Sequence, residues 1–383
     1  MPHSPPARIV DPQRWQRVRD YANGLCESGE IPGLAFGLVR RGRTTGTIGC
    51  GRRSLDRSGA PVGEDTIFLI ASLTKPIVAM ATLLLVERGQ LSLADRAVEF
   101  VPEFDAAEKR PITIRHLLTH TSGLPDMLPN NRALRSSQSP LESFVSGTCG
   151  VSLDFPPGRG VQYQSMGFAL LSQIITTVAG VRYSEFVRRE LFEPLGMHDT
   201  VLGTPDDWWE PRGDEPPRVS RIAEIKVPPE QENGNDWNWN SRYWRSLGAP
   251  WGGMLSTVDD LLTFGRMMLR GGVYGGQRIF SSAAIAAATS NQLDMRQAAP
   301  ESERRTRGWG AGWRLNWPTH VSSFSDLLSP AAYGHWGATG TLFWIDPTRD
   351  VAAVLLSTQP LPSMGALGSS HLTRLSNLIA AAL

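Results

Sequence analysis

Strand-like segments lie at both ends of this 383-residue chain, and helical patterns fill the middle. Strands from opposite ends can share one sheet only if the helical stretch is an insertion between them. At the N-terminal end, residues 34–39 and 44–48 flank the turn Arg40-Arg41-Gly42 and read as an antiparallel hairpin. At the other end, residues 310–315, 340–345 and 351–357 are strand-like, with a turn at Asp346-Pro347-Thr348-Arg349 between the last two. A helix predicted from Asp11-Pro12 carries Trp15, Val18, Tyr21, Ala22 and Leu25 at helical spacing as far as Gly29, and a last helix over 371–381 would cover the sheet. In the middle, helices are predicted over 75–87, 165–178, 183–192 and 257–269, the first two stopped by Gly89 and Gly180. The expected fold class is therefore α/β plus all-α: an antiparallel sheet flanked by helices, with an inserted helical subdomain. Residues 1–95 and 305–383 would form the sheet subdomain and 96–304 the helical one.

The stretch 206–252 breaks this pattern, holding six of the 12 tryptophans (Trp208, Trp209, Trp237, Trp239, Trp244 and Trp251) among prolines and charges. Its aromatic content predicts an ordered loop. Trp237 and Trp239 then serve either as a wall over a substrate or as pins that hold the loop to the body.

Composition excludes several classes. A net charge of +1 with interspersed signs implies no basic surface for nucleic acid. The longest apolar stretch, around residues 77–86, is about half a membrane span, and the opening Met1-Pro2-His3-Ser4-Pro5-Pro6 lacks the features of a secretory signal, so a cytoplasmic protein without membrane contact is expected. Cys26, Cys50 and Cys149 are odd in number and fit no metal spacing, which predicts buried free thiols. His116 and His120 stand four apart without a third ligand, so no metal or other cofactor is expected.

Only three lysines occur against 35 arginines, and one, Lys75, follows Ser72 by three positions. If Ser72 opens a helix, that spacing puts both side chains on one face, close enough for an amine to take the hydroxyl's proton. The amine must then be neutral, which burial or nearby positive charge can enforce on lysine but not on arginine.

Six motifs in order resemble the serine β-lactamase and penicillin-binding-protein superfamily, in its class C-like branch. They are Ser72-Leu73-Thr74-Lys75, the segment from Thr113 to Leu124, Tyr163-Gln164-Ser165, Glu193-Pro194-Leu195-Gly196-Met197, the segment from Gly252 to Thr257, and His335-Trp336-Gly337. The resemblance implies a hydrolase that forms an acyl-enzyme on Ser72, with Lys75 and Tyr163 sharing the proton path and either one as general base. It also implies an oxyanion hole from the backbone N–H groups of Ser72 and Ala338, with Ser165, His335, Trp336 and Gly337 beside the substrate. Two departures bear on the substrate. Lactamases and peptidases of the superfamily usually carry lysine and threonine where this chain has His335 and Trp336, and asparagine where it has Ser165. A neutral imidazole and an indole give a substrate carboxylate little to bind, so a carboxylesterase for uncharged esters is expected. A β-lactamase, a D-amino-acid peptidase or amidase, or a transacylase are the alternatives among enzymes, and a non-catalytic scaffold is the alternative outside them. The partner expected is a small ester or amide, and oligomeric state is left open. Lys75→Arg is expected to abolish ester turnover; normal turnover by that variant in a steady-state assay would remove Lys75 from the mechanism.

Overall fold

The computed structural model describes residues 8–56, 58–294, 298–316, 324–361 and 371–383. The opening segment Met1 to Pro6 lies outside them. Helix α1 (Pro12–Glu27) begins as its sequence dictates: the Asp11 carboxylate accepts the Arg14 N–H at 2.9 Å, and Pro12 takes the first position, where no N–H is needed. Three strands follow, β1 (Gly33–Arg40), β2 (Arg43–Thr44) and β3 (Ile48–Gly51), where a two-strand hairpin was expected. Both β2 and β3 pair with β1, because the chain leaves the ladder near Gly46 and rejoins it. Next come a short strand β4 (Phe68–Leu69) and helices α2 (Thr74–Glu87) and α3 (Met166–Ala179), the latter stopped by Gly180 at φ +69°. Strands β5 (Val201–Leu202) and β6 (Met254–Ser256) pair with β4 through β6 in a small second sheet not foreseen from sequence, its strands being too short to show a period. Helix α4 (Val258–Leu269), capped by Thr257, follows. The chain then makes β7 (Arg314–Leu315), β8 (Tyr333–Gly337), β9 (Thr341–Asp346), β10 (Val351–Ser357) and helix α5 (His371–Ala381).

The large sheet is antiparallel throughout, in the order β2, β1, β10, β9, β8, β7, with β3 also on β1. Leu34 faces Ser357 and Arg40 faces Val351, so the two ends of the chain meet at the sheet's centre. Alternation divides the side chains. Leu34, Phe36, Leu38, Trp344, Ala353 and Leu355 pack with Trp15 and Val18 of α1 and Leu372, Leu375 and Ile379 of α5. On the opposite face Ala35, Val39, Phe343, Ile345, Val354 and Leu356 join the larger core, with Val258, Leu261 and Phe264 of α4.

This packing bears on the subdomains. A division at residues 95/96 and 304/305 is a proposed one, and the seating of α4 against β1 and β10 argues for moving that helix to the sheet side. Stretch 206–252 is not all loop, since Arg242–Leu247 is a helix with Ser241 accepting the Trp244 N–H and Gly248 closing it in the left-handed region. The three cysteines are free and only half-buried, not buried, and Cys26 and Cys50 stand 2.9 Å apart at sulfur. Among the described residues no helix is long and apolar enough to cross a membrane.

Helix α4 lies close on the sheet because Gly265 has no side chain; a Cβ there would come within 2.9 Å of the Ala352 Cβ. Gly265→Val is expected to destabilise the fold by about 1–3 kcal/mol through overpacking, read from the midpoint of a urea transition.

Candidate active site

Ser72 lies in the single 3-10 turn Ala71–Leu73, which runs straight into α2. It therefore precedes the α-helix instead of opening it, and its N–H is among those a helix start leaves without an intrahelical acceptor. Ala71 takes φ +47°, a left-handed conformation costly for a residue with a Cβ. The backbone before Ser72 is stitched in place. Hydroxyls of Thr339 and Thr341 donate to the carbonyls of Leu69 and Ile70 at 2.7 and 2.9 Å, Thr74 Oγ1 donates to Ala71 O at 2.6 Å, and Ile70 N–H donates to Met254 O at 3.0 Å.

Lys75 is fully buried, with Nζ 3.1 Å from Ser72 Oγ and 2.7 Å from the carbonyl of Trp251. Burial lowers its pKa to about 7, against the opposing pull of Asp126. A neutral amine has two hydrogens and one lone pair. The Trp251 carbonyl takes one hydrogen, leaving the lone pair for the Ser72 hydroxyl.

Tyr163 completes the group. Lys75 Nζ stands 4.7 Å from the centre of its ring. Its hydroxyl is shielded from solvent without a complete hydrogen bond, and Ser72 favours its ionised form. Burial, then Asp126, dominate and hold the phenol well above its ordinary pKa. It stays protonated at neutral pH, fit to give a proton and unfit to take one.

The strand edge meets this group at β8. His335 is fully buried, and its Nδ1 lies 2.7 Å from the Trp336 carbonyl. A carbonyl can only accept, so Nδ1 carries the hydrogen and Nε2 the lone pair. Burial, with Lys75 adding to it, lowers its pKa to about 3. The ring is neutral, as the sequence led one to expect, and lies 5.9 Å from that of Tyr163. Gly337 makes room for the serine turn: a Cβ there would lie 2.5 Å from Ile70 O and 3.0 Å from the Ala71 Cβ. Half-buried Ala338 follows it.

Trp336, Trp237, Trp239 and Ser165 each have protein partners of their own. Alternation turns Trp336 to the face opposite His335, where it packs with Phe324 and lies 4.3 Å from the Arg314 guanidinium. Trp237 is buried against Arg135, which stands 5.1 Å from its ring, and Trp239 packs on the main core. Both indoles have packing roles. Ser165 does not cap α3 with its side chain; Oγ donates to Asp126 Oδ1 at 2.6 Å. His116 and His120 each spend Nδ1 on a backbone N–H, of Thr113 and Gln164, both at 3.1 Å.

Reading the sequence missed Asp126, Thr339, Thr341, His120 and the Trp251 carbonyl. The threonines sit in Gly337-Ala338-Thr339-Gly340-Thr341, next to a motif already noted. A main-chain carbonyl such as that of Trp251 leaves no residue-type signal.

A model of the Beta-lactamase family matches residues 16–375. Penicillin-binding protein 4 of Amycolatopsis lactamdurans is 30% identical over 86% of this chain and 78% of its own. Esterase EstB of Burkholderia gladioli is 32% identical over 75% of this chain and 74% of its own. A penicillin-binding-protein homologue from Caulobacter crescentus superposes with a TM-score of 0.78 at 24% identity, covering 98% of this chain and 99% of that one, which is a likeness of fold. Matched by the family model along nearly its whole length, the chain belongs to the beta-lactamase family and is a serine hydrolase.

Proposed function

We propose that this protein is a carboxylesterase for uncharged esters, acting through an acyl-enzyme on Ser72. The observation that carries the reading is the buried Lys75 amine 3.1 Å from Ser72 Oγ, with its pKa lowered to about 7. Lys75 is the general base, since Tyr163 is held in its protonated form at neutral pH. As the Ser72 hydroxyl attacks the acyl carbon, its proton passes to Lys75. Tyr163 hands its own proton to the leaving alkoxide and regains one through Lys75. The developing oxyanion is received by the N–H groups of Ser72 and Ala338, donors of a kind each worth roughly 3–4 kcal/mol.

Substrate choice follows from charge. His335 is neutral and offers no cation to a substrate carboxylate, Arg314 on the neighbouring β7 lies against the rings of Trp309 and Trp336, and Asp126 stands next to Ser165, where it repels a carboxylate. An ester with an apolar or aromatic acyl group suits this site, and the similarity to Esterase EstB supports it. A second reading, an amidase or peptidase for D-amino acids, has one observation in its favour: Asp126 could accept a substrate N–H. The free thiols fit a cytoplasmic location.

Two outcomes are expected. Turnover of p-nitrophenyl acyl esters exceeds that of nitrocefin and of D-alanyl amides, and faster turnover of the lactam or the amide would replace the esterase reading. For a neutral ester, kcat/KM rises with pH through an apparent pKa near 7, as Lys75 loses its proton, and levels off above it. A flat profile between pH 5 and 9 would remove Lys75 as base.

A further inference from the structure

His120 takes part in no step described above, yet it touches Tyr163 from three directions. Its carbonyl accepts the Gln162 N–H at 2.9 Å, and its Nδ1 accepts the Gln164 N–H at 3.1 Å. The two residues flanking Tyr163 are thus tied to one residue. Between those ties, the imidazole lies against the phenol ring, centroids 4.8 Å apart at 34°. Trp309 backs the imidazole at 4.2 Å and Phe168 at 5.8 Å, and the whole residue is buried.

The backbone of His120 is adapted to this double contact. At φ +58° it is left-handed, which turns its carbonyl and its side chain toward the same strand of chain. Among residues with a side chain, Asn, Asp and His enter that region most readily. They also offer an acceptor within reach of a neighbouring N–H. An imidazole accepts at Nδ1 only when neutral, and burial, reinforced by Lys75, keeps it so.

We propose that His120 is a positioning residue that brackets Tyr163 and fixes its hydroxyl over Ser72 and Lys75. The inference rests on the reading of Tyr163 as the proton carrier. Residues 162–164 precede α3 without belonging to it, so no helical ladder sets the direction of the phenol. Gln164 adds a second anchor, its Nε2 donating to Leu117 O at 3.2 Å, and Gln162 another, its Nε2 donating to Asp154 Oδ2 at 2.6 Å, but each of these holds one flank of Tyr163 alone. The tie on both sides comes from His120.

The test compares native protein with His120→Gly, His120→Asn and Tyr163→Phe, using p-nitrophenyl ester kinetics, thermal melts and labelling of Ser72 by a fluorophosphonate. Glycine keeps the left-handed backbone but removes Nδ1 and the stacked ring; asparagine keeps the backbone and restores an acceptor. His120→Gly is expected to lower kcat by roughly 100-fold with KM nearly unchanged, the penalty of an ångström's misplacement at a reacting group. His120→Asn is expected to recover most of that loss, which a purely structural defect would not allow. A folded His120→Gly variant with kcat within about threefold of native overturns the proposal. So does an Asn variant as slow as the Gly variant, and if glycine prevents folding, retention or collapse of kcat in the Asn variant decides alone. Full activity in Tyr163→Phe, or native protein inert to the probe, overturns the reading of the site and this inference with it; loss there beside an unaffected His120→Gly overturns the inference only.

Discussion

The removal of one amine from water governs the rest of this molecule. Lowering Lys75 from 10.5 to about 7 corresponds to roughly 5 kcal/mol against the ammonium form. Nothing on Lys75 itself supplies that. It comes from Phe168, Tyr163 and the apolar lining of α2 and α3, so the core that stabilises the helical half is the same core that makes the base. Arginine could not be tuned this way, which gives chemical meaning to a lysine retained in a chain with 35 arginines.

Two unrelated parts of the fold converge to complete the site. The sheet edge contributes two threonine hydroxyls and the bare Gly337, which together hold the strained Ala71 turn. The end of the tryptophan-rich stretch contributes the Trp251 carbonyl, the acceptor that orients Lys75. The long loop thus enters the chemistry through its backbone, while the indoles of Trp237 and Trp244 clasp Arg135, at 5.1 and 4.2 Å, and hold the loop down. A loop built to fix one carbonyl needs anchors, and large flat side chains are economical ones.

How much of this was legible in the sequence follows from the range of the interactions involved. Helices with strong local signals, such as the Asp11-Pro12 start and the Gly180 stop, appear where they were expected. The long strands pair as anticipated, since a continuous apolar run of six or seven residues bounded by turn signals is readable without a partner. Two-residue strands such as Val201–Leu202 are defined only by what they pair with. In the site, Ser72 and Lys75 drew attention through their spacing, and Tyr163 through the resemblance of its motif to the family's. Trp336 lies on the face of β8 opposite His335, a side set by the strand's register, which a motif does not carry. Asp126 escaped notice because its partner, Ser165, is 39 residues away.

The same desolvation that makes the base also sets a direction for stability. In the unfolded chain Lys75 holds its proton up to about 10.5, but in the folded chain only to about 7, so between these limits the unfolded state binds more protons. The cost of burying this group is complete below about 7 and fades as the pH climbs toward 10.5. His120 and His335, both held below their ordinary pKa by burial, act in the same sense at lower pH: below the ordinary histidine range the unfolded chain takes up protons that the folded site refuses. Acid therefore opposes the site twice, by protonating the base and by favouring the chain in which the two imidazoles are free to charge.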